Sequence, residues 1–454
     1  MKVAVFGCGY VGLTSGVCLA ARGHEVTAVD IDPAVVARLE AGEPHIHEPG
    51  LLEHLAEARR AGRFRATTDL GEALAEAEIA IMAVGTPGRD GAIDLTAVRS
   101  LARDIGSWLK AHDRFLAIVV KSTVIPGTTD TVVRGEIEVA SGKRLGEFGL
   151  AMNPEFLREG QAVADFMVPD RIVLGHDDPK SLALLERLYA SWDCDKLRVN
   201  SRTAELIKYA GNALLAVQIS AANEIANLAA AIGGIDAMEV MKGVHLDRRW
   251  NPIRDGERVA PGILSYLLPG PGFGGSCLPK DLEALATAGH VYGLPMAVTE
   301  AALSVNRAQP TQVVEILERA TGPLTGENVL VLGLAFKPGT DDVRDSPSIR
   351  IVELLLEKGA RVSAHDPLAA KGFRRTLGAQ AAAIRLVEDW RAVIEETKII
   401  AIITNWPEYK LLAAFDLTCK TVFDTRGMFG SAELRCGTYL PTGVDVRATA
   451  HSER

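Results

Sequence analysis

Cysteines, aromatic residues and long apolar runs are scarce in this sequence. Its six cysteines lie scattered among 454 residues without CxxC or other metal-ligand spacing, which favours reduced thiols in a cytoplasmic protein over a disulfide framework. The formal net charge of -9 argues against a surface for nucleic acid or anionic membrane. No run approaches the roughly 18 apolar residues of a membrane span. We therefore expect a cytoplasmic protein that binds neither nucleic acid nor membrane.

The order of apolar segments predicts an α/β protein with two Rossmann-like doubly wound domains joined by a long central helix. Over residues 1–200, short Val- and Ile-rich runs alternate with helical patterns, which is typical of parallel strands. A second alternating pattern begins after residue 320, where EKGARVSAHD (357–366) echoes ARGHEVTAVD (21–30). Between them, an Ala-rich stretch from Thr203 predicts one helix of about 28 residues. The predicted domains cover 1–200, 201–310 and 311–454.

Residues 7–12, GCGYVG, form a GxGxxG that follows a strand and opens a helix, with Asp30 at the end of the next strand. In this context the glycines permit a tight turn and close approach of a pyrophosphate, and the helix N-terminus favours the anion. Asp30 would bond the ribose hydroxyls and repel a 2′-phosphate, so the pattern favours NAD over NADP. The predicted contacts are Gly7, Gly9, Tyr10, Val11, Gly12 and Asp30.

Hydroxyl residues follow two further predicted strands. Thr86 and Pro87 come after IAIMAVG, and Ser122 and Thr123 come after FLAIVVK. Doubly wound folds bind ligands at this edge of the sheet, but hydroxyls that merely cap backbone groups give the same pattern. Both interpretations stay open at this point.

The stretch GPGFGGSCLPKD (270–281) surrounds Cys277 with glycines. The glycines leave backbone amides unshielded, Lys280 could stabilise a thiolate if it folds back, and Asp281 could accept or position a proton. A hinge loop with an incidental cysteine would also be rich in glycine. The residues alone therefore leave a nucleophile and a hinge equally open.

Five segments, together with the GxGxxG and Asp30, resemble the UDP-glucose/GDP-mannose 6-dehydrogenase family and occur in order through nearly the whole chain. The resemblance implies an NAD-binding domain at 1–200, a central dimerisation region with the cysteine loop at 201–310, and a domain at 311–454 that helps hold a nucleotide sugar. It also implies a homodimer. The segments are KSTVIPGTT (121–129), NPEFLREG (153–160), KYAGN (208–212), FGGSCLPKD (273–281) and FKPGTDDVRDSPS (336–348).

The chemistry that this resemblance implies is a four-electron oxidation of a nucleotide-sugar C6 alcohol to the carboxylate, with two NAD in succession. Cys277 would retain the aldehyde as a thiohemiacetal, and the second oxidation would leave a thioester for water to hydrolyse. Asp281 with a water would be the base of the alcohol step. The remaining family positions are Lys208 for the oxyanion, Asn212 on the same helix face, Glu155 for activating the hydrolytic water and Thr123 for ordering a catalytic water.

The same resemblance implies ligand contacts beyond the glycine loop. NAD would be contacted by Glu159 and Lys280, with Arg344 at its pyrophosphate, in addition to the strand-end candidates Thr86, Pro87 and Ser122. The nucleotide sugar would be contacted by Phe156, Leu157, Phe273, Gly274, Lys337 and Arg426, and by Arg249 from across the dimer.

Oxidation of UDP-glucose to UDP-glucuronate for polysaccharide biosynthesis is the leading interpretation. UDP-N-acetylhexosamines and GDP-mannose are alternative substrates, and a two-electron hydroxyacid dehydrogenase or a non-catalytic NAD-binding protein are alternatives from other classes. The segment 250–271 is about a dozen residues longer than expected. It either contacts a larger sugar through Arg254 and Arg258 or forms a surface loop at the dimer interface.

The segment PHIHEPG (44–50) places His45, His47 and Glu48 close together. Further ligands at helix or zinc-finger spacing do not follow it, so we expect no metal.

Overall fold

The computed structural model describes residues 1–430 and 433–443. The chain forms two compact units, Met1–Gly211 and Asn212–Arg454. The division into three domains at residues 200 and 310 stays a prediction, and the end of the predicted third domain, residues 444–454, lies outside the described residues.

The first unit is built on a sheet of eight strands with the order β10-β9-β8-β7-β4-β1-β2-β3. Its strands, with the separate hairpin β5–β6, are β1 (Lys2–Phe6), β2 (Glu25–Val29), β3 (Phe64–Thr67), β4 (Ile79–Met82), β5 (Gly88–Arg89), β6 (Ala92–Ile93), β7 (Ala117–Val120), β8 (Gly149–Met152), β9 (Arg171–His176) and β10 (Asp195–Val199). Neighbouring strands are parallel except β8 and β9, which are antiparallel. β9 and β10 therefore run opposite to the other six strands of the sheet.

Helices cover both faces of this sheet, which is why its central strands are almost wholly apolar. Alternate residues point to opposite faces: Val3 and Val5 belong to one buried cluster, and Ala4 and Phe6 belong to the other. The helices are α1 (Tyr10–Ala21), α2 (Pro33–Glu40), α3 (Leu51–Arg60), α4 (Leu70–Leu74), α5 (Thr96–Ala111), α6 (Arg134–Ser141), α7 (Ala162–Met167) and α8 (Pro179–Leu188), and a π-helical segment spans Thr128–Val133.

The predicted long helix is present as α9 (Ser201–Ile232), and the boundary between the two units falls within it. By length and composition alone α9 could also cross a membrane, and 39% of its most apolar window is buried. Its polar side chains contact other parts of the second unit: Ser220 Oγ donates to Ala302 O at 2.7 Å, and Asn227 Nδ2 donates to Gln309 Oε1 at 2.9 Å.

The second unit contains a parallel sheet that, within the described residues, has six strands in the order β15-β14-β13-β16-β17-β18. Its strands, with the separate hairpin β11–β12, are β11 (Ile253–Arg254), β12 (Glu257–Arg258), β13 (Asn328–Leu332), β14 (Arg361–His365), β15 (Ile384–Leu386), β16 (Ile399–Ile402), β17 (Leu417–Asp424) and β18 (Cys436–Pro441). Its helices are α10 (Ala237–His245), α11 (Leu278–Val291), α12 (Ala297–Thr321), α13 (Pro347–Glu357) and α14 (Ala370–Leu377). Alternate residues of β13 again belong to two different buried clusters. Two doubly wound sheets and a long helix between them in sequence confirm the predicted fold class.

Candidate active site

The loop from β1 to α1 has the backbone geometry of a pyrophosphate-binding turn. Gly7 has a φ of +91°, which favours glycine, and its N–H donates to Val29 O at 2.8 Å. A Cβ at Gly12 would lie 1.8 Å from Gly7 O, whereas a Cβ at Gly9 would meet no atom within 4 Å. Because Gly9 also precedes the first turn of α1, the helix N-terminus presents its amides without a covering side chain.

Asp30 is fixed beside this loop. Its Oδ2 accepts the Cys8 N–H at 2.8 Å, and its Oδ1 accepts the Asp32 N–H at 3.0 Å. Asp32 in turn caps α2 by accepting the Ala34 N–H at 2.8 Å. The carboxylate that would meet the ribose is thus held at the end of β2, and the residues present fit NAD.

The hydroxyls at the neighbouring strand ends hold the two strands to each other. Ser122 Oγ donates to Val84 O at 2.7 Å, and Thr86 Oγ1 donates to Thr123 O at 2.9 Å. These bonds show the capping role that the sequence left open. Contact of Thr86, Pro87 and Ser122 with NAD stays a prediction.

Glu48, which the sequence suggested only as a weak metal ligand, is a buried hydrogen-bond acceptor. Its carboxylate accepts the Gly160 N–H at 2.8 Å, the Ala162 N–H at 2.6 Å and the Tyr10 hydroxyl. It therefore ties the start of α1 to the end of the NPEFLREG segment. Among the described residues, His, Cys, Asp and Glu form no group of three placed to hold a metal ion.

A buried ion pair joins NPEFLREG to α9 within the first unit. Lys208 Nζ lies 2.8 Å from Glu155 Oε1, and both side chains are 6% exposed. Glu155 Oε2 also accepts the Leu157 N–H at 2.5 Å. Burial by itself would raise the pKa of Glu155, but the charge and hydrogen bond of Lys208, with smaller contributions from Leu157 and Lys121, hold that pKa below its ordinary value.

The aromatic ring next to this pair is held by cations. The Arg171 guanidinium lies 3.9 Å from the centre of the Phe156 ring, and Lys208 Nζ lies 5.7 Å from it. The first unit thus brings together Glu155, Phe156, Leu157 and Lys208.

Lys121 is a buried cation that sequence reasoning missed. It is 3% exposed, its Nζ donates to Asn153 Oδ1 at 2.9 Å, and burial lowers its pKa to about 8. Both residues could have been singled out from the sequence, since Lys121 is the first residue of KSTVIPGTT and Asn153 is the first residue of NPEFLREG.

In the second unit, Cys277 is exposed and is the N-cap residue of α11. A helix N-terminus stabilises negative charge, and the thiolate is the nucleophilic form of cysteine.

The cysteine loop is held by amide side chains that the sequence did not single out. Asn306 accepts the Phe273 N–H at 2.7 Å and donates to Phe273 O at 3.0 Å, and Gln309 donates to Gly270 O at 2.9 Å.

Glycine is required in this loop because backbone and side chains pack directly against it. A Cβ at Gly274 would lie 2.1 Å from Asp345 O, and a Cβ at Gly275, whose φ is +84°, would lie 2.8 Å from the Phe336 ring. The Gly275 N–H donates to Arg344 O at 2.8 Å. The cysteine loop therefore packs against the segment FKPGTDDVRDSPS.

Asp281 lies one helical turn after Cys277 and is 1% exposed. Asn212 Nδ2 donates to its Oδ2 at 2.7 Å, and Lys280 Nζ donates to its Oδ1 at 2.6 Å. The structure thus brings together the predicted base and the predicted helix asparagine. It pairs Lys280 with this carboxylate, whereas the sequence analysis offered a role for Lys280 folded back on the thiol.

The remaining predicted substrate residues differ in their surroundings. Arg426 Nε donates to Ile403 O at 2.8 Å, and its Nη1 would lie 3.3 Å from a Cβ at Gly270. Burial lowers the pKa of Arg426 to about 10, partly offset by Asp424. Lys337 Nζ lies 5.4 Å from the centre of the Phe336 ring.

Two further arginines pair with aspartates two residues before them. The Arg344 guanidinium bonds both carboxylate oxygens of Asp342, with Nε 2.9 Å from Oδ1 and Nη2 2.7 Å from Oδ2. Arg249 is 88% exposed and lies 2.5 Å from Asp247. Both pairs lie at the surface of the second unit.

The long segment 250–271 contains the hairpin β11–β12 and a 3₁₀ segment, Gly262–Leu267. Arg258 Nη1 donates to Leu246 O at 2.9 Å and to Asn251 O at 3.2 Å. Arg258 is thus used to hold the loop itself. This favours the surface-loop interpretation over contact of Arg258 with a larger sugar.

A dinucleotide loop on one doubly wound sheet, and a cysteine at a helix N-terminus followed by a buried carboxylate in the second unit, are the features of an NAD-dependent dehydrogenase. Models of the UDP-glucose/GDP-mannose dehydrogenase family match the chain in three successive parts: the NAD binding domain over residues 1–193, the central domain over 202–308 and the UDP binding domain over 330–431. The chain belongs to this family. It is an NAD-dependent enzyme for a nucleotide sugar.

Individual relatives agree with this assignment. The chain is 42% identical to a UDP-glucose 6-dehydrogenase of Haloferax volcanii, over 82% of this chain and 85% of the relative. It is 36% identical to a GDP-mannose 6-dehydrogenase of Azotobacter vinelandii, over 96% and 100%. Among solved structures, a UDP-glucose dehydrogenase from Pyrobaculum islandicum matches with a TM-score of 0.87 and 41% identity, over 97% of each chain.

Proposed function

We propose that the chain oxidises UDP-glucose to UDP-glucuronate, with two NAD and one water consumed per sugar. The observation that carries the proposal is Cys277 at the start of α11 with the buried, doubly hydrogen-bonded Asp281 one turn later. This arrangement supplies a nucleophile and a base on one helix, as a covalent oxidation of an alcohol requires.

NAD, when bound, accepts the hydride in each of the two oxidations. In the first, Asp281 takes the proton of the C6 hydroxyl, directly or through a water ordered by Thr123, and Asn212 holds Asp281 in place. The Cys277 thiolate then adds to the aldehyde carbon, so that a C–S bond forms and the oxyanion is stabilised by Lys208. The product of this addition is a thiohemiacetal, which keeps the aldehyde on the enzyme.

The second oxidation converts the thiohemiacetal into a thioester on Cys277. Glu155 takes a proton from water, the resulting hydroxide attacks the carbonyl, and the C–S bond breaks. The carboxylate and the Cys277 thiolate are released. Lys208, which already pairs with Glu155 at 2.8 Å, would stabilise the oxyanion of this step as well.

The ligand contacts are also proposals. We assign the residues of the glycine loop, Asp30, Thr86, Pro87, Ser122, Glu159, Lys280 and Arg344 to NAD. We assign Phe156, Leu157, Arg249, Phe273, Gly274, Lys337 and Arg426 to the nucleotide sugar. Contact of Lys280 with NAD would require Lys280 to share or exchange its bond to Asp281. The 42% identity to a UDP-glucose enzyme favours UDP-glucose, and the 36% identity to a GDP-mannose enzyme keeps GDP-mannose as the second candidate.

We further propose a cytoplasmic homodimer with domains 1–200, 201–310 and 311–454, whose product serves polysaccharide biosynthesis. A dimer is supported by apolar side chains on α9 that are exposed in the single chain, including Leu214 at 63% and Leu228 at 59%. Leu228→Asp should give a monomer by light scattering, with Leu411→Asp, at 48% exposure in the C-terminal part, as the control. A wild-type monomer would overturn the proposal.

The function is tested by counting NADH formed per sugar across UDP-glucose, UDP-N-acetylglucosamine, UDP-N-acetylmannosamine and GDP-mannose. Two NADH per UDP-glucose supports the proposal, one indicates a two-electron dehydrogenase, and none with any sugar indicates a binding protein. Cys277→Ser should keep nucleotide binding and lose full turnover. Cys419→Ser, at another exposed cysteine, is the matched control, and unchanged turnover in Cys277→Ser would contradict the covalent mechanism.

A further inference from the structure

A cavity of about 140 Å³ lies within the first unit, along the NPEFLREG segment that carries Glu155. Its lining includes residues 153–158 and 165–166, residues 168–172, and Lys121, Tyr189 and Trp192. By the same kind of measure, one water needs roughly 10–15 Å³. The cavity has room for several waters.

The cavity runs from the surface to buried polar groups. Val168 in its lining is 81% exposed, whereas Lys121, Asn153 and Tyr189 in the same lining are each 3% exposed. A water needs two to four polar partners to be held in such a place. Lysine, amide, phenol and carboxylate groups of the lining supply them.

The buried end is a connected network that leads toward Glu155. Tyr189 Oη donates to Asn153 Oδ1 at 2.6 Å, Lys121 Nζ donates to the same oxygen at 2.9 Å, and Asn153 Nδ2 donates to Val173 O at 2.9 Å. The Asn153 side chain is therefore fixed by three bonds. It stands two residues before Glu155, which is itself a lining residue and whose charge is stabilised by Lys121.

We infer that this cavity is the route by which the hydrolytic water reaches Glu155, with Lys121 and Asn153 as positioning residues at its buried end. The inference rests on the proposed function, in which each turnover consumes one water after a thioester has formed on Cys277. In that step a C–O bond forms from water and the C–S bond breaks. One proton of the water goes to Glu155, the other leaves the product carboxyl group for solvent, and no electrons are transferred.

The physical reason for a separate route is that bound sugar and cofactor would exclude bulk water from the reacting carbon. An exclusion of this kind protects the aldehyde but also withholds the water that the thioester requires. A cavity that reaches the surface at Val168 can supply water to the base while sugar and cofactor are bound, and its lining shares Phe156 and Leu157 with the proposed sugar site.

The test narrows the cavity at both ends. Val168→Trp places a large side chain at the exposed end, and Ile172→Phe, at 6% exposure in β9, fills it from inside. Val139→Trp is the matched control, because Val139 is an exposed valine of the same unit, at 85%, outside the cavity lining. Thermal unfolding and NAD affinity are measured first, and variants that match the wild type in both enter the kinetic assay.

Each enzyme is mixed with UDP-glucose and NAD, and the first two NADH per site, the steady-state rate and the mass of the acid-quenched protein are recorded. We expect the narrowed variants to form the first two NADH as fast as the wild type. Their steady-state rate should fall about tenfold, and they should accumulate a hydroxylamine-sensitive acyl adduct on Cys277. Val139→Trp should behave as the wild type.

Two results would overturn the inference. One is a steady-state rate and adduct level equal to those of the wild type in both narrowed variants and in their double variant. The other is slowing that already affects the first NADH, because this would assign the cavity to substrate binding. Absence of two NADH in the wild type would instead overturn the proposed function, and with it this inference.

Discussion

Glu205 makes the stability of the first unit depend on pH. It is fully buried in α9, where its Oε2 accepts the Gly127 N–H at 2.6 Å and its Oε1 accepts the Thr129 N–H at 2.8 Å. Burial raises its pKa from 4.5 to about 7, against the lowering effect of these bonds. Between these two pKa values the folded protein holds a proton that the unfolded chain has lost. The contribution of Glu205 to the free energy of unfolding is therefore full at low pH and falls as the pH rises toward 7.

The size of the effect follows from about 1.36 kcal/mol for each pH unit between the two pKa values. From pH 5 to pH 8, the wild type should lose about 2.5 kcal/mol of unfolding free energy through Glu205 alone. Glu205→Gln cannot ionise, and it loses one acceptor at a constant cost of about 1 kcal/mol. The free energy of unfolding of the variant, relative to that of the wild type, should therefore rise by about 2.5 kcal/mol from pH 5 to pH 8.

The assay is urea unfolding of both proteins at pH 5, 6, 7 and 8, read by circular dichroism and tryptophan fluorescence. Glu224→Gln, at an exposed position of the same helix, is the matched control and should show a constant difference from the wild type. A constant difference for Glu205→Gln would refute the reasoning, because it would mean that the carboxylate is ionised throughout the range.

Three further predictions concern the site. Gly274→Ala should abolish turnover, since its Cβ would lie 2.1 Å from Asp345 O; activity near that of the wild type in a NADH assay would contradict the loop geometry. Glu48→Gln should lower kcat about tenfold, because the Gly160 N–H loses a charged acceptor; unchanged steady-state kinetics would remove Glu48 from the machinery. Asp30→Asn should lower the ratio of kcat/KM for NAD to that for NADP by about tenfold or more, and an unchanged ratio would show that Asp30 does not select the cofactor.

Central elements were predictable from the sequence because both of their faces are buried. Within the two main sheets, the strands that the pattern missed are β3, β10, β15 and β18, which lie at the edges. An edge strand has one hydrogen-bonded neighbour, so it can be short and polar: β10 reads DKLRV and three of its five residues are exposed. The hairpin β11–β12 could have been predicted from its turn, since Asp255-Gly256 is a favoured hairpin dipeptide.

The residues that do the proposed chemistry were found through motifs, as was Asn212, which holds Asp281, whereas the other residues that hold the site were not. Asn306, Gln309 and Glu48 act through bonds to backbone groups of distant segments, and such bonds leave no spacing in the sequence. Burial is likewise the main cause of the raised pKa of Glu205 and of the lowered pKa of Lys121. A motif indicates which groups react, but the fold decides which amide or carboxylate orients them.

The two carboxylates with proposed base roles share an environment that stability alone does not explain. Glu155 is paired with Lys208 and Asp281 with Lys280, and each carboxylate accepts two hydrogen bonds while buried. Removing an ion pair from water often costs more than its attraction returns, and apolar residues of similar volume would be as stable or more so. Proton transfer at a shielded carbon, by contrast, requires ionisable groups held at fixed positions away from bulk water. Catalysis therefore explains why the chain bears the desolvation cost of these two buried pairs. The solvent-exposed carboxylates of the chain carry no such cost.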